Sequence, residues 1–258
     1  MTALLEITGL EVRFGGVRAV AGLDLAVEAG AIHALIGPNG AGKSTALNCV
    51  SRFYDPHAGD IRFDGQSILR HRPHAVAGLG IGRTFQNLEL CAQSSALENV
   101  LIGMSPRIEG GNPFWPGRRR RAEDRRAGEA AMVLLEQVGL AGQAHVPAGQ
   151  LAFGQQKLLD LARALACEPR LLLLDEPAAG LRLREIRALD ELLVRLAAVR
   201  AVTILLVEHV MALVMSVAHR VTVLSFGQKI AEGTPAEIRR HDRVVEAYLG
   251  RMAADAVG

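Results

Sequence analysis

The sequence has few cysteines, few aromatic residues and no long apolar run. Its three cysteines, Cys49, Cys91 and Cys167, are widely separated and form no C-x-x-C pair. This spacing argues against a disulfide framework and a zinc site, and it fits a reducing compartment. The apolar runs, such as residues 201–207, are much shorter than the roughly 20 residues that cross a bilayer. We therefore expect a soluble cytosolic chain that reaches a membrane only through a partner.

A strong charge imbalance is also missing. The 258 residues carry a formal net charge of +2, which is too small to argue for nucleic-acid binding. Residues 1–6 contain no basic region and no long apolar core, so they predict no signal peptide. The arginine-rich segment 118–126 is compatible with anionic lipid contacts. Acidic residues are interleaved with the arginines, which favours a solvated helix face.

A glycine-rich loop follows the apolar segment 31–36, which predicts a buried strand, and 46–50 after it can form a helix. The loop fits the pattern G-x-x-x-x-G-K-[ST], whose backbone amides wrap phosphates at the start of a helix. We expect Lys43 to reach the β and γ phosphates of a nucleotide and the Ser44 hydroxyl to bind Mg²⁺. The predicted nucleotide-binding residues are Gly37, Pro38, Asn39, Gly40, Ala41, Gly42, Lys43, Ser44 and Thr45.

An acidic pair follows a second apolar strand, predicted at residues 171–174. Asp175 comes at the end of this strand, where it can hold Mg²⁺ through water. Glu176 comes next, beside the expected γ-phosphate, where it can act as general base on the attacking water. Because a buried carboxylate without a partner costs free energy, the pair indicates a functional site rather than a structural one.

Apolar strands alternate with helices over much of the chain, which predicts an α/β fold with a mainly parallel sheet covered on both faces. Short strands are predicted at 4–14, 23–27 and 61–63, with a hairpin at Asp64-Gly65. The pattern becomes helical from residue 96, and helices are also predicted at 127–138 and 158–166. The elements predicted after these are strand 171–174, helix 189–199, strand 201–207, helix 210–217 and strand 221–224.

Further motifs, taken together with the loop and the acidic pair, resemble those of ABC transporter ATPases. Residues 151–157, Leu-Ala-Phe-Gly-Gln-Gln-Lys, resemble the family's signature motif. Phe14 matches the aromatic residue that stacks on adenine. Gln86 matches the Q-loop glutamine that meets Mg²⁺ and senses the γ-phosphate, and His209 matches the switch histidine. The resemblance covers nearly the whole chain. It implies a P-loop ATPase fold with an N-terminal antiparallel β subdomain and an inserted helical subdomain.

The resemblance also sets the expected domain organisation and roles. We predict one nucleotide-binding domain over 1–258, with a core at 1–87 and 155–258 and a helical signature subdomain at 88–154. The implied cofactors are ATP and Mg²⁺. The implied catalytic residues are Lys43, Gln86, Glu176 and His209, and the implied Mg²⁺ residues are Ser44, Gln86 and Asp175. The residues expected to contact the ATP of a partner subunit are Leu151, Ala152, Phe153, Gly154 and Gln155.

Narrower features are similar to the ATP-binding subunits of branched-chain amino acid importers. They are the segments 13–16, 82–87, 98–100, 175–181, 208–209 and 247–250. That family couples ATP hydrolysis to uptake of a solute delivered by a periplasmic binding protein. The implied partners are a second ABC ATPase, identical or different, and transmembrane permease subunits, with no nucleic acid. The implied location is the cytoplasmic face of the cell membrane. Residues 88–101 are expected to line the groove for a permease segment, or simply to pack the helical subdomain.

Other functions stay open from the sequence. The solute can be urea or a short amide instead of an amino acid. A soluble ABC ATPase of translation or DNA repair is disfavoured, because the chain has one such domain and no sustained heptads. A non-hydrolytic regulatory subunit is opposed by the intact P-loop, acidic pair and switch histidine. A GTPase is disfavoured because no N-K-x-D motif is present.

Two departures from the family pattern lead to a prediction. Arg182-Leu183 stands where the family's D-loop has Asp or Asn followed by Pro, and Val210 replaces the acid that usually follows the switch histidine. Because the D-loop crosses the dimer interface, we expect unequal ATP sites and altered communication between them. Replacement Arg182→Asn should therefore change the ATPase rate or its cooperativity with the partner subunit in a steady-state assay. An unchanged rate and cooperativity would contradict this hypothesis.

Overall fold

The computed structural model describes residues 3–86, 88–104 and 118–247. The strands are β1 (Ala3–Phe14), β2 (Val17–Glu28), β3 (Ile32–Ile36), β4 (Ala58–Phe63), β5 (Gln66–Ser67), β6 (Ile81–Arg83), β7 (Leu171–Asp175), β8 (Thr203–Val207), β9 (Arg220–Ser225) and β10 (Gln228–Gly233). The α-helices are α1 (Lys43–Val50), α2 (Ala96–Gly103), α3 (Arg118–Gln137), α4 (Phe153–Leu165), α5 (Leu183–Arg200), α6 (Met211–Val217) and α7 (Pro235–Arg239).

The larger sheet has six strands in the order β10-β9-β3-β8-β7-β6. All neighbours in it are parallel except β10, which pairs antiparallel with β9 at one edge. Every residue of β3, β7 and β8 is buried. Helices cover one face of these central strands, and α1 together with the N-terminal strands covers the other. Burial on both faces explains why their sequences are continuously apolar instead of alternating. The prediction of a mainly parallel sheet in an α/β fold is confirmed.

The register of this sheet brings three strand ends to one level. Val207 of β8 lies opposite Leu35 of β3 on one side and opposite Asp175 of β7 on the other. The chain leaves all three strands just beyond these residues. Because parallel strands present their carboxyl ends at one edge, the loops that follow β3, β7 and β8 meet there.

The smaller sheet is antiparallel and has the order β2-β1-β4-β5. It confirms the expected N-terminal β subdomain. The predicted hairpin joins β4 to β5, and both Asp64 (φ 51°) and Gly65 (φ 75°) have the positive φ that a two-residue turn of this type requires. Strand β2 also touches the larger sheet, where the amide of Ala21 donates to the carbonyl of Gly227, at 2.9 Å.

The helical part of the chain packs against the other face of the larger sheet. Helix α2 begins with a capping box, in which Glu98 and Ser95 each bond the backbone amide of the other. Buried residues of α2, α3 and α4, such as Val100, Leu135 and Leu159, belong to one hydrophobic cluster with α5 and the central strands. No helix within the described residues is long and apolar enough to span a bilayer.

Several element boundaries differ from the predictions. The predicted strand 201–207 begins only at Thr203, because Ala201 (φ 52°) terminates helix α5 in the left-handed conformation. Helix α5 begins at Leu183, earlier than predicted, since the Glu185 carboxylate accepts a hydrogen bond from the Arg182 amide at 2.7 Å. Strand β10 and helix α7 were not predicted.

A buried histidine in β3 gives a prediction for the pH dependence of stability. His33 is 1% exposed, and its Nε2 lies 2.9 Å from Thr222 Oγ1. Burial lowers the pKa of His33 to about 4, with a smaller opposing effect from Glu232. The folded protein therefore keeps His33 neutral, whereas the unfolded chain takes up a proton near pH 6.5.

The contribution of neutral His33 to the free energy of unfolding is complete above pH 6.5. It is lost as the pH falls from 6.5 towards 4, because the unfolded chain then binds a proton that the folded protein does not. We expect this residue alone to reduce the free energy of unfolding by about 1–2 kcal/mol between pH 7 and pH 5. Urea unfolding of the wild type and of His33→Gln at both pH values measures the effect. An equal loss in both proteins would contradict the assignment.

Candidate nucleotide-binding site

The glycine-rich loop connects β3 to α1 and is shaped by close backbone approaches. A Cβ atom on Gly37 would overlap the carbonyl oxygen of Leu224, and a Cβ on Gly42 would overlap that of Ala19. Gly42 also has φ 101°, which a residue with a side chain rarely adopts. Both positions require glycine for these reasons. Helix α1 starts directly after Gly42, so its free amides face the loop.

Lys43 lies inside this loop. Its Nζ donates to the carbonyl oxygens of Gly37, at 2.7 Å, and Pro38, at 3.1 Å. The ammonium group is therefore held at the centre of the curved backbone, among the amides that the sequence predicts to bind phosphate. This position places a positive charge where an anion would bind.

Asp175 reaches the loop from the end of β7. Its Oδ1 accepts a hydrogen bond from Ser44 Oγ at 3.4 Å, and its Oδ2 lies 3.3 Å from Nη2 of Arg83. Burial raises the pKa of Asp175, and the Arg83 guanidinium opposes that shift. A hydroxyl and a carboxylate are oxygen ligands of the kind that Mg²⁺ takes together with nucleotide phosphates. The pair therefore fits a magnesium site.

Glu176 lies next to the loop in a restricted backbone conformation. It has φ 49°, and its amide donates to the carbonyl of Val207 at 2.9 Å. Its carboxylate accepts a hydrogen bond from Gln86 Nε2 at 3.1 Å and lies 3.8 Å from Nδ1 of His209. A strained conformation that the fold enforces is common at functional sites.

A cavity of about 390 Å³ lies between the glycine-rich loop, Gln86 and Glu176. The residues that line it are Ala19, Asn39, Gly40, Ala41, Gly42, Lys43, Ser44, Thr45, Gln86 and Glu176. The structure thus places the glycine loop, the glutamine and the glutamate around one space. Asp175, which is buried, and His209, which is half exposed, contact the lining residues Ser44 and Glu176 but do not line the cavity themselves.

The buried carboxylate of Glu208 positions the two loops around Glu176. This residue was noted only within segment 208–209, and its positioning role was not predicted. This side chain is fully buried and accepts hydrogen bonds from the amides of Ala178, His209 and Val210, at 2.8, 2.8 and 2.9 Å. It thereby joins the turn after β7 to the turn after β8. An acid directly after an apolar strand is the same signal that identified Asp175.

The signature segment begins helix α4. Ala152 caps the helix without a side-chain acceptor, while the Gln155 side chain accepts from the Ala152 amide at 3.1 Å. Gly154 is buried because Glu185 covers it, and Phe153 is half exposed. None of the described residues 151–155 lines the cavity beside the glycine loop. The signature segment therefore does not face the glycine-rich loop of its own chain.

Lys157, one turn further along α4, does reach the chain's own site. Its Nζ lies 3.3 Å from the Gln86 carbonyl oxygen and 3.5 Å from that of Glu176. Lys157 is the last residue of the signature segment 151–157, but these two contacts were not predicted. Its contacts connect the signature helix to the two residues that border the cavity opposite the loop.

Two other predicted residues lie at the periphery. Phe14, at the end of β1, is half exposed and meets the Tyr54 ring edge-to-face, with 5.4 Å between ring centres. It pairs with Val17 of β2, close in sequence to the cavity residue Ala19. Arg182 is exposed at the start of α5.

Comparisons with known proteins agree with this geometry. The family model described as ABC transporter matches residues 20–179, and the model described as branched-chain amino acid ATP-binding cassette transporter matches residues 228–254. BraF of Pseudomonas aeruginosa, a high-affinity branched-chain amino acid transport ATP-binding protein, is 43% identical over 251 residues, covering 96% of this chain and 98% of BraF. LivG of Escherichia coli, also a high-affinity branched-chain amino acid transport ATP-binding protein, is 39% identical over 251 residues, covering 96% of this chain and 98% of LivG.

The fold is also that of solved ABC cassettes. The structure of the ADP conformation of MJ1267, an ATP-binding cassette of an ABC transporter, superposes with a TM-score of 0.83 at 29% identity, covering 97% of this chain and all of that one. The glycine-rich loop, the acidic pair, the family matches and the superposition all indicate the same family. The chain belongs to the ABC transporter family of ATP-binding cassettes and, within it, to the branched-chain amino acid type.

Proposed function

We propose that this chain is the ATP-binding subunit of an importer that takes up branched-chain or related amino acids. It hydrolyses ATP in a head-to-tail dimer of ABC subunits and drives uptake through separate membrane subunits. The observation that carries the proposal is the cavity that unites the glycine loop with Gln86 and Glu176. The solute class is supported by the similarity to BraF and LivG, which are branched-chain amino acid transport ATP-binding proteins.

The proposed chemistry assigns a role to each residue around the cavity. Lys43 and the loop amides bind the phosphates, and Phe14 stacks on the adenine. Glu176 accepts the proton of the attacking water, with Gln86 and His209 beside its carboxylate to hold it in place. Ser44, Asp175 and Gln86 would hold Mg²⁺, which supplies charge neutralisation for the phosphates.

A second subunit is required in this proposal because the signature residues do not face the chain's own cavity. The amides at the start of α4, at Gly154 and Gln155, are suited to an anion. We assign them to the ATP bound by the partner. Lys157 then gives each signature helix a contact with its own chain's Gln86 and Glu176 loops.

We further propose that residues 88–154 act as the helical subdomain that meets the permease. A cavity of about 790 Å³ lies where this segment meets the core, and it is lined by residues of both, among them Phe53, Phe85, Glu89 and Ile102. Apolar residues of α2, such as Val100, are buried in the helical core instead. A permease segment in this cavity would hold the chain at the cytoplasmic face of the membrane.

The variant Glu176→Gln tests the proposed activity. Because glutamine cannot accept the proton of the attacking water, we expect ATP turnover to fall by roughly 10²–10⁴-fold. ATP binding should persist, since the glycine loop is unchanged. The assay uses the subunit assembled with its permease partners. Glu191→Gln, on the exposed surface of α5, is the matched control and should turn over ATP like the wild type.

The same variant tests the solute in uptake assays with labelled leucine, valine, urea and acetamide. We expect Glu176→Gln to abolish leucine and valine uptake and to leave the other two solutes unaffected. Loss of urea or acetamide uptake alone would show that the solute class is wrong. A wild-type turnover no higher than that of Glu176→Gln would instead favour the regulatory alternative.

A further inference from the structure

Arg83 lines the larger cavity and contacts Asp175, which in turn contacts Ser44 in the lining of the smaller cavity. It is the last residue of β6 and lies opposite Leu173 of β7, two residues before Asp175. Opposed residues of parallel strands project to the same side of the sheet, so Arg83 and Asp175 share one face. The side chain of Arg83 is 9% exposed and that of Asp175 is 4% exposed.

On one side, the guanidinium joins the end of β7 to the helix of the glycine loop. Nη2 lies 3.3 Å from Asp175 Oδ2, and Nη1 donates to Ser51 Oγ and, at 3.4 Å, to the carbonyl of Leu47. Leu47 lies in the last turn of α1, which begins with Lys43 and Ser44, and Ser51 caps the C-terminus of that helix. The second oxygen of Asp175, Oδ1, is left facing Ser44.

On its other side, the guanidinium contacts the wall of the larger cavity. Its Cζ lies 5.4 Å from the centre of the Phe53 ring and 5.1 Å from that of Phe85. These two rings meet edge-to-face at 5.6 Å, and both line the cavity of about 790 Å³ together with Arg83 itself. Phe85 directly precedes Gln86, and its amide donates to Asp160 of α4 at 3.2 Å.

We propose that Arg83 is a positioning residue for ATP hydrolysis. It holds Asp175 with one carboxylate oxygen turned towards Ser44, and it ties that orientation to the Phe53–Phe85 wall of the cavity. The inference rests on the proposed role of Ser44 and Asp175 in binding Mg²⁺. A change at the cavity wall is thereby transmitted to the metal-binding carboxylate. The planar guanidinium suits both contacts, because it donates in a fixed fork and stacks on aromatic rings, which an ammonium group does not.

The test compares ADP affinity in EDTA with ADP affinity in Mg²⁺, by calorimetry on the full chain. We call the ratio of the two affinities the magnesium gain. Arg83→Gln should reduce the magnesium gain roughly tenfold, the usual effect of losing a hydrogen bond to a charged group. Affinity in EDTA should stay unchanged, because the loop that binds the phosphates is intact.

The link to the cavity wall is tested with Phe53→Leu, which touches neither Asp175 nor the glycine loop. This variant should also lower the magnesium gain, and the double variant with Arg83→Gln should be no worse than Arg83→Gln alone. Independent, additive effects would contradict the link. Arg83→Lys keeps the charge and should still lower the gain, so a wild-type gain in this variant would overturn the proposal. Arg83→Lys also provides the test of the proposal if Arg83→Gln fails to fold.

Arg170→Gln is the matched control. Arg170 also pairs with an aspartate, Asp64, at 2.8 Å and lies 5.4 Å from the centre of the Phe63 ring, but it lines neither cavity. The magnesium gain of Arg170→Gln should equal that of the wild type.

A larger magnesium gain in Arg83→Gln than in the wild type would mean that the guanidinium competes with the metal, which contradicts the proposal.

Asp175→Asn separates this inference from the proposed function. If Asp175→Asn abolishes the magnesium gain while Arg83→Gln leaves it intact, the proposed metal site stands and the role of Arg83 is wrong. If Asp175→Asn leaves the gain intact as well, the proposed metal site is wrong, and the inference fails with it.

Discussion

The parallel register of β3, β8 and β7 is the constraint on which the site depends. Leu35, Val207 and Asp175 lie side by side across the sheet, so the glycine loop, the turn with Glu208 and the acidic pair leave it at one level. A register shift of one residue in β7 would turn Asp175 to the opposite face, away from Ser44. Because these strands are apolar and buried on both faces, burial alone would tolerate such a shift. The contacts of Asp175 with Ser44 and Arg83 exist only in the observed register and therefore favour it.

Two carboxylates at this edge, those of Asp175 and Glu208, are buried, and the fold stabilises each with specific partners. Asp175 has Ser44 and Arg83, while Glu208 has three backbone amides. Unpaired, such carboxylates would cost several kcal/mol each. With these partners, the carboxylates of Asp175 and Glu208 fix the loops that carry Glu176 and His209. Glu176 lines the cavity, which is the position that the proposed general base needs in order to reach an attacking water.

The sequence was sufficient to predict the fold class and the family, both of which are confirmed. Motifs at fixed spacing also named the residues that the structure gathers round the smaller cavity, and their catalytic roles stay predictions. Glu208 and Arg83 fall within segments 208–209 and 82–87 of the family resemblance, but their contacts were not predicted. Glu208 binds Ala178 and Arg83 binds Asp175, which lie 30 and 92 residues away in the sequence. The position of Glu208 after an apolar strand indicates a buried acid, but no local pattern shows which distant residue lies beside it. One strand boundary was wrong for a local reason. Ala201 ends α5 through its left-handed backbone conformation, although the apolar run that it begins resembles a strand.

The most direct measurement is a crystal structure of the chain with ADP and Mn²⁺, since anomalous scattering locates the metal independently of the protein. We expect the phosphates to bind within residues 37–45, and we expect a manganese peak beside Ser44 Oγ on the side of Asp175 Oδ1. Phosphates bound outside this loop, or a metal remote from both side chains, would contradict the claim that the two motifs form one nucleotide site.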